Sequence, residues 1–112
     1  MNTIAINPTL QTRLTITPEQ LIDFCQRWQI AELALFSSIL RDDFRPDSDI
    51  DLLVSYQPTA KRGLFEKMHM KAEIESMLHR EVDLVSKTAI QQSKNWIRRQ
   101  NILTTAEVIY VA

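Results

Sequence analysis

Three aspartates and a pair of serines carry the chemistry of this sequence. Asp49 and Asp51 stand two residues apart at the start of an apolar run, Ile50 to Tyr56. Side chains alternate along a strand, so both carboxylates point to one face, roughly 6–7 Å apart at Cα. Like charges that close repel, and each disfavours ionisation of the other. A hydrophobic strand has no packing use for them. A hard divalent cation would remove the repulsion, and oxygen ligands suit Mg²⁺. Taken alone, a D-x-D pair is more often a solvated strand face than a metal site. Two further features shift that balance. Asp83 lies between Val82 and Leu84 in a separate strand-like segment, and would add a third carboxylate if the two strands are neighbours. Three carboxylates can hold two ions about 3.5–4 Å apart, as two-metal displacement at phosphorus requires. Ser37-Ser38 closes the preceding apolar run and opens a turn whose N–H groups and hydroxyls could meet phosphate oxygens. Together these are the parts of phosphoryl or nucleotidyl transfer, where positioning and charge neutralisation do most of the work.

The elements that must position these residues follow from periodicity. Thr17-Pro18-Glu19-Gln20 predicts a helix start, with a Thr–Gln capping box and Pro where its missing N–H costs nothing. Leu21, Phe24, Cys25 and Trp28 then fall on one helical face. Leu33 to Phe36 reads as a buried strand, Ser37 to Ser48 as a polar connection, and Ile50 to Tyr56 as a second strand. Gln57 to Arg62, with Pro58, reads as a loop. Leu64, Met68, Ala72, Ile74, Met77 and Leu78 recur at helical spacing. Glu81 to Val85 is a third strand, with Val82 and Leu84 on one face and Asp83 on the other. Thr88 to about Leu103 reads as one helix, with Ile90, Ile97 and Leu103 on one side, and Val108 to Val111 as a short terminal strand. Residues 1–16, with Pro8 and no helical period, read as an extended N-terminal arm. The order predicts an α/β (α+β) domain over 1–112: a small mixed β-sheet with helices packed on one face.

Composition narrows the function. A chain of 112 residues fits one domain and one core. The net charge of -1 offers no global basic field for nucleic acid, so no direct nucleic-acid binding is expected. Gly63 is the only glycine, which excludes Gly-rich phosphate loops of the Walker or Rossmann kind. One cysteine, Cys25, excludes an intrachain disulfide, and its apolar neighbours predict a buried thiol. No window approaches ~18 consecutive apolar residues, and the first residues lack a signal-peptide pattern, so a cytoplasmic protein without a membrane span is expected.

Ser37-Ser38, ten residues and Asp49-Ile50-Asp51 resemble the G-S-x₁₀-D-x-D signature of DNA polymerase beta-like nucleotidyltransferases. The fuller stretch, LFSSILRDDFRPDSDIDLLV, is similar to the minimal nucleotidyltransferases, matching at Arg41, Pro46-Asp47-Ser48 and Leu52-Leu53-Val54, and Asp83 falls where that family has its third carboxylate. The resemblance covers roughly residues 17 to 112. It implies a reduced nucleotidyltransferase palm and two Mg²⁺ ions. Asp49 and Asp51 would ligate both, while Asp83 would bind the catalytic ion and orient or deprotonate the attacking hydroxyl. Ser38 would hold the terminal phosphates of ATP, with Ser37 and Arg41 also at the nucleotide. Stand-alone domains of this kind are similar to antitoxins of HEPN–nucleotidyltransferase pairs, which add AMP from ATP to a tyrosine of a helical ribonuclease toxin. The sequence departs from the pattern at one place: Ser37 stands where the family has Gly, which allows close approach to phosphate and an unusual φ.

Other residues have blander readings beside the functional ones. Arg41 and Arg45 could stabilise a triphosphate or pair with Asp42, Asp43 or Asp47 on a solvated loop. The two readings are balanced for Arg41, and the solvated one is favoured for Arg45. Lys94, Arg98 and Arg99 beside Trp96 read first as a solvated helix face, then as a docking surface for an acidic partner. His69 and His79 have no partner at zinc-ligand spacing. Met68, Met70 and Met77 read as core. Three functions remain: a protein AMP-transferase acting as antitoxin, a degenerate relative that neutralises its toxin by binding alone, and a transferase with a small-molecule or RNA acceptor. The short chain, with no second domain to build an acceptor pocket, disfavours the third.

Overall fold

The computed structural model describes residues 3–60 and 63–112. The first two residues of the arm read over 1–16, and Lys61 and Arg62 of the loop read over 57–62, lie outside them. The elements in chain order are β1 (Thr3–Ile4), α1 (Pro8–Leu14), α2 (Pro18–Arg27), β2 (Ile30–Phe36), a 3-10 turn (Ser37–Leu40), β3 (Ile50–Tyr56), α3 (Leu64–Leu78), β4 (Val82–Ser86), α4 (Lys87–Gln91), α5 (Trp96–Thr105) and β5 (Glu107–Val111). The strands form one mixed sheet in the order β1-β5-β2-β3-β4. Among the described residues β3 and β4 pair in parallel, and the other neighbours are antiparallel.

The parity of the strands sorts the core. Leu33 and Leu35 of β2, Leu52 and Val54 of β3, and Val82 and Leu84 of β4 point into the main core. There they meet Leu10 and Leu14 of α1, Leu21, Phe24 and Cys25 of α2, and Met70, Ile74 and Leu78 of α3. Cys25 is fully buried, as its neighbours predict, and desolvation pushes its thiol up to about 12. The intervening residues Ala34, Phe36 and Leu53 point the other way, onto a smaller cluster with Ile90 of α4 and Ile102 of α5. Helices therefore cover both faces of the sheet, not one as the sequence suggested. Asp49 and Asp51 share the odd parity of Leu53, and Asp83 the parity of Val85, so the carboxylates belong to the smaller face.

The capping box is formed: Thr17 Oγ1 accepts from Gln20 N–H at 3.1 Å, and Gln20 Oε1 accepts from Thr17 N–H at 2.9 Å. Three expectations need correction. Residues 8–14 are a helix rather than an extended arm. Asn7 caps it by accepting from Leu10 N–H at 2.8 Å, and Pro8 opens it. With two buried leucines in seven residues it is too short to show a period. The stretch read as one helix over 88–103 is two. Asn95 caps the second by accepting from Arg98 N–H at 3.1 Å, and Ser86 caps the first. Finally, α3 buries Met70, Ile74 and Leu78, at i, i+4 and i+8, while Leu64 and Met68 stand 74% and 57% exposed.

Candidate active site

Register brings two of the three carboxylates, Asp51 and Asp83, together. Asp51 stands opposite Phe36 of β2 on one side and opposite Asp83 of β4 on the other. Adjacent strands lie about 4.8 Å apart, so Asp51 and Asp83 face each other across the shortest step in the sheet. Ser37 follows Phe36 directly, and its hydroxyl is near enough to the Asp51 carboxylate to favour the ionised form. Ser38 turns toward the start of β3, its Oγ donating to the Asp49 carbonyl oxygen at 3.5 Å.

Asp51 carries the electrostatic strain of the site. Burial raises its pKa most, and the charge of Asp83 raises it further. The Ser37 hydroxyl opposes this, Asp49 adds a smaller upward push, and Arg98 pulls downward. Asp49 is thus close enough to be felt, but it lies toward a second hollow of about 340 Å³, with Asp47, Ser48, His79 and Arg80. Among the described residues no group of three or more His, Cys, Asp or Glu side chains stands together closely enough to hold a metal ion. Convergence is tightest for the Asp51–Asp83 pair. That pair fits a hard cation. It offers only oxygen donors, and Asp51 holds its proton more tightly than usual, through burial first and the charge of Asp83 second. Mg²⁺ commonly takes one or two carboxylates and completes its shell with water and phosphate.

A cavity of about 470 Å³ opens beside the pair. Phe36, Ser37, Leu40 and Arg41 line it from β2 and the turn, Asp51 and Asp83 from the sheet, and Arg98, Asn101, Ile102 and Thr105 from α5. Arg41 lines the cavity, and its Nε pairs with Asp43 at 3.2 Å, one of the loop partners named for it. Arg45 contributes backbone to its loop, its N–H donating to Ser48 Oγ at 3.0 Å. The wall from α5 was missed. Arg98 read as part of a solvated face, yet it lines the cavity and acts on Asp51. The signal was present: Arg98, Asn101 and Thr105 fall at i, i+3 and i+7, a polar stripe on one side of a helix.

Ser37 sits at φ 69°, in the left-handed region. A Cβ there costs roughly 1–2 kcal/mol. Two variants isolate that cost, because both lose the hydroxyl and only one keeps the Cβ. Ser37→Gly is expected to be more stable than Ser37→Ala by about 1 kcal/mol, which is about 4–5 °C in melting temperature for a domain of this size. Equal melting temperatures would show that the turn relaxes without strain.

Oxygen-only donors on neighbouring strands, a turn with serine hydroxyls and two arginines thus line one cavity, an arrangement chemically suited to phosphate and a hard cation. The nucleotidyltransferase domain family matches residues 18–108. The chain belongs to that family and is a nucleotidyltransferase. It is similar to the protein adenylyltransferase MntA of Thermococcus cleftensis, at 28% identity over 88 residues, 77% of this chain and 79% of that protein. A solved structure taken to be a minimal nucleotidyltransferase superposes with a TM-score of 0.63 at 30% identity, covering 88% of this chain and 90% of the other. A toxin–antitoxin crystal structure with AMP-PNP shares the fold, with a TM-score of 0.61 at 18% identity over 80% of this chain and 69% of that one.

Proposed function

We propose that this chain transfers AMP from ATP to a tyrosine of a cognate HEPN ribonuclease toxin, and so serves as a cytoplasmic antitoxin. The observation that carries this reading is the Asp51–Asp83 pair in register beside Ser37, at a cavity flanked by Arg41 and Arg98. Bound Mg²⁺, two ions in the full reaction, would neutralise phosphate charge and favour ionisation of the acceptor hydroxyl. Asp51 and Asp83 would hold that charge, with Asp49 joining from the same strand face. Asp83, the more exposed of the pair, would orient the tyrosine hydroxyl and take its proton. Ser37, Ser38 and Arg41 would hold the terminal phosphates, and Arg98 would draw the polyanion toward the sheet. The tyrosine oxygen then bonds to the α-phosphorus and pyrophosphate leaves.

The adenylyltransferase relative and the toxin–antitoxin fold support the acceptor class. The surface supports a partner. Leu64, Phe65 and Met68 of α3, and Trp96 and Ile97 of α5, are all more than half exposed, an apolar display that a small monomer has no use for. Among the described residues no helix is long and apolar enough to cross a membrane. The test is incubation with labelled ATP, Mg²⁺ and the helical protein encoded beside this chain. Label on a partner tyrosine is the expected result. A tight complex that carries no label would favour the second reading, neutralisation by occlusion. The positive φ of Ser37, at the position where the resembling family has Gly, is the observation on that side.

A further inference from the structure

Two arginines far apart in the chain grip one loop. Arg13 of α1 donates through Nη1 to the carbonyl oxygens of Ile39 at 2.6 Å and Arg41 at 2.9 Å. Arg80, between α3 and β4, donates through Nη1 to the carbonyl oxygens of Arg45 and Ser48, both at 2.9 Å. Both guanidinium groups also lie over the ring of Phe44, with centroid distances of 5.4 Å for Arg13 and 4.4 Å for Arg80. Phe44 is half-buried and packs on the main core. The connection over 41–48 is largely exposed and polar, and its internal backbone bonds are few, Phe44 N–H to the Arg41 carbonyl at 3.4 Å and Ser48 N–H to the Arg45 carbonyl at 3.0 Å. A segment like that has little reason to hold one shape. Four carbonyls bound to fixed charges and a ring pinned under two cations supply the reason.

We infer that Arg13, Phe44 and Arg80 form a clamp that positions the loop between Ser37-Ser38 and Asp49–Asp51, and that Arg13 and Arg80 are positioning residues for nucleotidyl transfer. The inference rests on the proposed function for its kinetic part. The loop joins the phosphate-binding turn to the first metal-ligand position, so its shape sets the distance between the two. Arg13 lies outside the matched family region, which begins at residue 18. The N-terminal helix therefore belongs to the machinery of the site.

The variants are Arg13→Lys and Arg80→Lys, which keep the charge but lose the planar fork, and Phe44→Leu, which keeps apolar packing and loses the ring. Each is studied well below its melting temperature, with circular dichroism confirming the fold. Amide hydrogen exchange over 41–49 is expected to quicken about tenfold or more in each, while exchange in β2 and β3 stays as in the wild type. Mg²⁺-ATP affinity is expected to fall about tenfold, with less change in turnover of bound nucleotide. Unchanged exchange in the loop overturns the clamp. Faster exchange with wild-type affinity and transfer overturns the positioning role. A wild-type chain that binds no Mg²⁺-ATP overturns the proposed function, while faster loop exchange in the variants still supports the clamp.

Discussion

Asp51→Asn is expected to lower transfer by about 10²–10³-fold, the scale of losing a group that stabilises transition-state charge, while leaving the fold intact. The same substitution should stabilise the chain in the absence of metal. The pKa of Asp51 is raised above the ordinary aspartate value of 3.8, chiefly by burial and then by the charge of Asp83. The folded state therefore holds this proton more tightly than the unfolded state. Wild-type stability is highest with respect to this group below pH 3.8 and falls as pH rises through the raised value. Asn carries no charge at any pH and escapes that fall. Melting curves without metal should coincide at acidic pH and separate above the window, with the variant the more stable. Adding Mg²⁺-ATP should reverse the order, raising the wild type and leaving the variant unmoved. A variant that keeps full nucleotide-dependent stabilisation would remove Asp51 from the metal site.

Asp83→Asn is expected to separate binding from turnover. The proposed role of Asp83 lies at the attacking oxygen, which matters most in the transition state. Turnover should fall by about 10²-fold or more, at the lower end of what general-base catalysis supplies, with nucleotide affinity changed only a few-fold. An independent readout comes from its neighbour. Removing the Asp83 charge takes away the second-largest cause of the raised Asp51 pKa, so the Asp51 carboxyl should titrate lower in the variant. Carbon-detected NMR titration would follow it. A variant that binds ATP poorly but turns over bound ATP normally would assign Asp83 to nucleotide binding. An unmoved Asp51 titration would show that the two carboxylates do not feel each other.

Much of this site was readable before any coordinates. Strands declare themselves by alternation, so Ile50–Tyr56 and the sidedness of Asp49, Asp51 and Asp83 followed directly from the order of residues. The pairing of β3 with β4 stayed conditional in the sequence, and it is the structure that lays them side by side in parallel across the α3 crossover. Harder to read was anything decided by the tertiary environment. Leu64 and Met68 match the helical period as well as Met70 does, but only the sheet beneath them determines which stripe of α3 is buried. Arg98 looks like any surface arginine until α5 is laid against β2 and β3. The helix over 8–14 is fixed by one Asn cap, one proline and two leucines, too little for periodicity to register. The Arg13–Phe44–Arg80 contacts join positions far apart in the chain, and local patterning carries no information about such pairs.

The strand order also sets a timetable for synthesis. β5 is the last strand to be made, yet it sits between β1 and β2. As the chain grows from its N-terminus, β1 has no partner until residues 107–111 appear, and the β5-facing edge of β2 stays open until then. The half of the sheet that carries the aspartates, β2–β3–β4, needs no later segment to pair. This half can close while the chain is still being extended, whereas the other half waits for β5. A ribosome stalled before β5 would thus present an assembled carboxylate pair beside an unprotected strand edge, an invitation to aggregation that the insertion of β5 removes.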